Sequence, residues 1–245
     1  MKMVGIDVGG TGIKAAVVET ETGQLATERR RVLTPQPATP AAVAEATALL
    51  VEELPAGTVG IGFPAVVLHG RTMTAANIDS AWIGTQADML FAVALGREVV
   101  VGNDADVAGL AEMRFGAGRG QDGTELMLTI GTGIGSALFI DGQLVPNTEL
   151  GHLEVRGKEA EKRAASSVKD RKDLSWDDWS KRLAEVIDHI DALIWPDLVI
   201  IGGGVSKESA KFIPQLNARA RCVPAALHNE AGIIGAALLA AESAG

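Results

Sequence analysis

Residues 3–8 and 13–18 are two runs of β-branched and small apolar residues around a glycine-rich turn, a pattern that predicts a hairpin opening a sheet. A third strand is predicted over 25–33. Pro35, Pro37 and Pro40 then mark a loop, Thr39 is placed to cap, and the Ala, Leu and Glu content of 41–53 predicts a helix ended by Pro55. The pattern continues with a strand over 59–63, a helix over 86–95, a buried strand over 98–101 and a helix over 105–114. At Glu125 the opening pattern returns, and residues 126–140 are again strand, glycine turn, strand. A helix over 175–194, a strand over 198–201 running into Gly202, Gly203 and Gly204, and a helix over 229–241 complete this second half. The chain therefore reads as a duplication with a period of about 120 residues. Two α/β halves are expected, residues 1–103 and 104–245, with a crevice between them and the last helix a candidate to complete the first half.

An apolar share of 47% supplies cores for two such halves, and no run of about 18 apolar residues offers a membrane span. Asp7 interrupts the first apolar stretch and no small-residue cleavage site follows it, so no signal peptide is read and a cytoplasmic protein is expected. Cys222 is the only cysteine, which excludes an internal disulfide and any multi-cysteine zinc site. The net charge of −9, the absence of tyrosine and an aromatic share of 4% argue against nucleic acid and acidic membranes as partners. One stretch runs against this balance. Residues 156–173 set Arg156, Lys158, Lys162, Arg163, Lys169, Arg171 and Lys172 against Glu159, Glu161, Asp170 and Asp173, a local surplus of +3.

The turn Asp7-Val-Gly-Gly-Thr-Gly-Ile-Lys14 places an acid at a strand end, Gly9, Gly10 and Gly12 in the turn, and the Thr11 hydroxyl and Lys14 ammonium beside them. Backbone N–H groups of such a turn can approach phosphate oxygens, and Asp7 could hold a hydrated magnesium ion. A plain glycine hairpin explains this loop equally well when it stands alone. It does not stand alone, because Ile130-Gly-Thr-Gly-Ile-Gly135 supplies a second turn, with Thr132 and Gly133, after another apolar strand. Paired loops at duplicated positions fit the anchoring of a phosphoryl chain. A dinucleotide site fits poorly, since each turn leads into a strand rather than a helix.

Gly102-Asn-Asp-Ala-Asp106 follows a short strand and precedes a helix, so Asp104 stands where a general base could meet a substrate hydroxyl, with Asn103 orienting it. A helix cap is the blander role for Asn103 or Asp104, and Asp106 reads as a first-turn dipole partner. Glu149-Leu-Gly-His152 brings an acid and an imidazole to one loop, where both could bind hydroxyls of a sugar; a solvated turn is the alternative. Gly202, Gly203 and Gly204 could let a nucleotide lie on bare backbone, or merely make a tight turn. Arg29-Arg-Arg31 reads as a solvated strand edge, and Trp176 with Trp179 as a core helix face.

Together with Gly62-Phe-Pro-Ala-Val66, the block 74–84, the block 110–120, Val145-Pro-Asn-Thr-Glu-Leu-Gly-His152, Ala160-Glu-Lys-Arg-Ala164 and Ile201-Gly-Gly-Gly-Val-Ser-Lys207, these motifs resemble the ROK sugar kinases from Gly5 to about Ala237. The resemblance is strongest to their polyphosphate-using branch. It implies a two-domain actin-like ATPase fold of duplicated RNase H-like halves, glucose in the cleft and a homodimer. Carried over, Asp104 corresponds to the base for the sugar 6-hydroxyl, and Asn103, Glu149 and His152 to sugar ligands. Asp7, Gly9, Gly10, Thr11, Gly12, Lys14, Thr132 and Gly133 correspond to phosphate cradles, and Gly202, Gly203 and Gly204 to the adenosine contact. Mg2+ would bridge phosphoryl oxygens, nearest Asp7 and Asp104.

The sequence departs from most of that family by lacking its cysteine-rich zinc loop, so no zinc site is expected. Glu161 is the candidate for the sugar carboxylate that loop would supply, with Glu154 a weaker one. Lys162 and Arg163, with Lys158, are the candidate cations for a polyphosphate donor. The activity expected is phosphoryl transfer from inorganic polyphosphate, and from ATP, to the 6-hydroxyl of glucose. An ATP-only kinase acting on glucose or mannose is the alternative, and a non-catalytic sugar sensor is a third reading. The hairpin beginning at Met3 leaves no room for a preceding helix-turn-helix, and Asp104 is retained, which favours an enzyme.

Overall fold

Both glycine-linked apolar runs form antiparallel hairpins in the computed structural model, which describes every residue except Ala56, Asn77 and Gly245. Asn77, inside the block 74–84, thus lies outside the described residues. The first hairpin is β1 (Lys2–Val8) and β2 (Ile13–Glu19), followed by β3 (Gln24–Leu25), β4 (Arg30–Val32), α1 (Pro40–Val51), β5 (Val59–Phe63), β6 (Val67–Leu68), β7 (Arg71–Thr72), α2 (Ala87–Leu95), β8 (Val99–Asn103) and α3 (Asp104–Phe115). The second is β9 (Thr124–Ile130) and β10 (Ile134–Ile140), followed by β11 (Gln143–Val145), β12 (Glu154–Val155), β13 (Lys158–Glu159), α4 (Ala160–Ala164), α5 (Ser166–Arg171), α6 (Trp176–Ile194), β14 (Leu198–Gly202), β15 (Arg221–Pro224) and α7 (Ala231–Ser243).

The main sheets have the same plan. One runs β3-β2-β1-β5-β8 with β4 beside β2, the other β11-β10-β9-β14-β15. In each, a hairpin strand continues into two parallel neighbours, β1 with β5 and β8, and β9 with β14 and β15. The duplication read from the glycine turns is therefore a duplication of topology. By its contacts the chain divides into Met1–Ala111 with Glu230–Gly245, and Glu112–Asn229, so the division falls inside α3, later than 103/104, and α7 belongs with the first unit.

The third strand predicted over 25–33 is broken. Ala26 N donates to Val17 O, but the Val17 amide turns to the Thr27 hydroxyl at 3.0 Å, so the ladder is interrupted between β3 and β4. Thr39 caps α1 through Ala42 N, with Pro40 at its first position, and Gly96 ends α2 at φ 61°. In the first unit, α7 lies directly on β1 and β5: a Cβ on Gly5 would fall 1.9 Å from Ile233 O, and one on Gly60 1.7 Å from Ala236 O. Only bare backbone admits so close a helix. Each unit has an aromatic knot. Phe63, Trp82 and Phe91 pack together with Trp82 Nε1 donating to Ala38 O, and Trp176, Trp179 and Phe212 do so with Trp179 Nε1 donating to Ala164 O. Trp179 is fully buried and Trp176 packs at the core margin, as the helix-face reading expects.

Candidate active site

In the first unit, the parallel register sets Asp7 level with Gly62 on β5, and Gly62 level with Gly102 on β8. Asp7 and Asp104 thus stand at the same carboxyl-terminal edge, on or just beyond strands β1 and β8, which lie two strand spacings, about 10 Å, apart. That edge is where open α/β sheets bind ligands. Asn103 Oδ1 accepts from Ala105 N at 2.8 Å and from Asp106 N at 3.1 Å, and its amide donates to Ala65 O at 3.1 Å. Asn103 is therefore the cap of α3, fixed at both ends of its side chain, with one amide hydrogen left for a ligand. Asp104 and Asp106 fill the first turn, where the helix macrodipole favours negative charge.

The 9–12 turn closes through Gly9 N to Gly12 O at 3.0 Å. The Thr34 hydroxyl donates to Gly9 O, and the Gln36 amide to Gly10 O at 3.5 Å. Asp7 and Lys14, opposite in register, form an ion pair of 2.7 Å. This occupies one carboxylate oxygen. A Cβ on Gly232, in the first turn of α7, would lie 2.9 Å from Asp7 Cγ, so bare backbone gives the carboxylate its room. Hard oxygen donors at such an edge suit a hydrated magnesium ion. Sequence reasoning missed Arg31: β4 sets it opposite Lys14, and a Cβ on Gly12 would fall 2.9 Å from its Nε. Arg31 makes no ion pair among the described residues. The signal was register, invisible in a run of three arginines.

In the second unit, the Ser136 hydroxyl donates to Thr148 O at 2.6 Å and accepts from Leu150 N at 3.0 Å, pinning the loop that carries Glu149 and His152 to β10. A Cβ on Gly151 would fall 2.0 Å from Ile134 O, so only glycine fits there. His152 lies 3.6 Å from Glu149 and 3.7 Å from Glu159, and His152, Glu159 and Glu161 each offer an atom within 4.8 Å of the others. Burial raises the Glu149 carboxyl above its ordinary value, His152 pulls it back, and Glu161 adds to the rise. Glu149, His152 and Glu161 are thus brought together, as the sequence reading expects, while Glu154 is exposed on β12. Glu159 joined the cluster unforeseen. The three-ligand group has no thiol, and Glu159 is held by Lys162 at 2.6 Å. Burial, and then Asp191 and Asp188, push the Cys222 thiol up to about 11, which disfavours its thiolate.

The second glycine turn closes through Gly131 N to Gly133 O at 3.0 Å, and Ser167 on α5 bonds both Gly131 O and, through its hydroxyl at 2.6 Å, Thr132 O. Gly203, at φ 78°, runs against Ile130, where a Cβ would lie 2.4 Å from the carbonyl oxygen, while Gly204 faces open space. Lys162 and Arg163 are not idle cations. Lys162 is paired with Glu159, and Arg163, largely buried, with Glu185.

The ROK family profile matches residues 3–165. The polyphosphate glucokinase of Mycobacterium tuberculosis is 53% identical over 96% of this chain and 89% of its own. The crystal structure of an inorganic polyphosphate/ATP-glucomannokinase from Arthrobacter sp. strain KM superposes with a TM-score of 0.96 at 51% identity, covering 99% of both chains. A ROK family glucokinase from Streptomyces griseus, solved with glucose and AMPPNP, gives 0.82 at 26% identity over 99% of this chain and 100% of its own. The chain belongs to the ROK family of sugar kinases, and its two α/β units of identical strand order are the halves of an actin-like ATPase fold.

Proposed function

We propose that this chain transfers a phosphoryl group from inorganic polyphosphate, and from ATP, to the 6-hydroxyl of glucose. The observation that carries the reading is the match, over nearly the whole of both chains, to a protein named for polyphosphate and ATP. Asp104 takes the proton of the sugar hydroxyl as its oxygen attacks the terminal phosphorus, and the shortened polyphosphate or ADP departs. Asn103 holds Asp104 in place through the α3 cap and offers its remaining amide hydrogen to the sugar. Glu149, His152 and Glu161 accept from and donate to sugar hydroxyls. The turns bearing Gly9, Gly10, Thr11, Gly12 and Lys14, and Thr132 and Gly133, cradle phosphate with their amides, and Gly202, Gly203 and Gly204 receive the adenosine. Kinases use a divalent cation with their donor, and Mg2+ near Asp7 and Asp104 would neutralise charge on the phosphoryl oxygens.

Mannose is a second acceptor supported by the relative named as a glucomannokinase. A homodimer is the assembly expected of the family, and a cytoplasmic enzyme fits a structure in which no described helix is long and apolar enough to cross a membrane. The test is glucose 6-phosphate formation by the purified protein with magnesium and either long-chain polyphosphate or ATP. Product from both donors is expected. Product from ATP alone would move the chain to the ATP-only kinases, and none from either would refute the assignment.

A further inference from the structure

Four cations gathered around α5 and α6 of the second unit form no salt bridge among the described residues. Glu185 on α6 is the carboxylate at the centre of this face: it pairs with Arg156 of the β12–β13 turn at 2.7 Å and with Arg163 of α4. One helical turn before Glu185 stands Arg182, two residues beyond Arg156 stands Lys158, and α5 ends in Arg171 with Lys172 behind it. Among the described residues, no ion pair engages Lys158, Arg171, Lys172 or Arg182. Asp178, one turn before Arg182, bonds Ser175 and Lys181 and attracts Arg182 only through space, and neither Asp170 nor Asp173 forms an ion pair among the described residues. Lys172 registers the crowding, its ammonium held below the usual lysine value first by Arg182, then by partial desolvation, Lys158, Arg171 and Arg163. Cations at the end of α5 answer its dipole, but Arg182 and Lys158 come from other elements and repel Lys172. In a chain of net charge −9, that repulsion calls for an anion.

The other end of α5 says which anion. Ser167, in its first turn, holds the 131–133 glycine turn by two hydrogen bonds, and four residues of helix, about 6 Å, separate Ser167 from Arg171. We infer that Lys158, Arg171, Lys172 and Arg182 form a docking track for the distal part of a polyphosphate chain whose reacting end lies at the 131–133 turn. This rests on the proposed donor chemistry and replaces Lys162 and Arg163 as its cations. A linear anion suits the face better than nucleic acid, because Trp176, which could stack a base beside α5, is already covered by Lys169 at 4.5 Å.

The test is a triple variant, Lys158→Gln, Arg171→Gln and Lys172→Gln, assayed with long-chain polyphosphate, tripolyphosphate and ATP, with direct binding of end-labelled polyphosphate followed against salt. The expected result is a loss of tenfold or more in kcat/KM and affinity for long chains, a shallower salt dependence, and unchanged kinetics with ATP and tripolyphosphate. Unchanged affinity for long chains, equal losses on all donors, or tighter binding of a single-stranded oligonucleotide than of polyphosphate would overturn the track. Absence of polyphosphate turnover in the unaltered protein would instead refute the donor assignment, and the binding measurement would still decide the track.

Discussion

Glu149 is the residue whose environment most directly sets a pH dependence. A raised carboxyl becomes protonated at a pH above the ordinary carboxylate value, and in the proposed sugar site a neutral Glu149 would lose acceptor strength. The KM for glucose is therefore expected to rise as pH falls through that raised value, and Glu149→Gln should flatten this limb while weakening binding at every pH. Glu125 makes a second case. It is fully buried on β9, neither carboxylate oxygen has a hydrogen-bond partner among the described residues, and burial followed by Asp197 and Asp141 raises its carboxyl. The folded state then binds the proton more tightly than the unfolded one, so stability is complete at low pH and falls as pH rises from the ordinary carboxylate range through the raised value. Glu125→Gln should raise Tm at neutral pH and change it little below about pH 4; an unchanged Tm at neutral pH would mean that Glu125 has found a partner. Glu149 and Asp104 were legible because each sits in a short motif of recognisable chemistry. Glu125 was not, since a single acid at a strand start reads as exposed until the neighbouring strands cover it.

At the scale of elements, the cap of α3 would couple packing to the proposed chemistry, for Asn103 starts the helix whose first residue is Asp104. Asn103→Ala should cost about 1 kcal/mol of stability from the lost cap. It should also lower kcat more than it alters donor KM, because the base is misplaced. Asn103→Asp keeps the acceptor for the helix amides and should recover the stability more than the turnover; a variant losing stability alone would confine Asn103 to the cap. The glycine turns, the paired hairpins and the long helices were legible because period and punctuation agree in them. The broken third strand was not, because its interruption depends on the Thr27 hydroxyl taking a ladder amide. Edge strand β15 has four residues ending in Pro224, too few to show an alternation. The pairing of Arg163, a candidate donor cation, with Glu185 was not legible because the two lie on different elements.

For the whole molecule, a family dimer is expected, and light scattering of the purified protein should give twice the chain mass of 25.4 kDa. The chain mass itself would assign activity to the single copy. Asp104, in the first turn of α3, is the general base of the proposed reaction with either donor. Donor choice then resides in what lies beyond the transferred phosphoryl group, whereas the proton transfer is common. The decisive measurement is kcat of Asp104→Asn with saturating glucose and either polyphosphate or ATP, alongside glucose binding. Both rates are expected to fall together by about 10²–10⁴-fold while glucose is still bound. Near-normal turnover with either donor would contradict it.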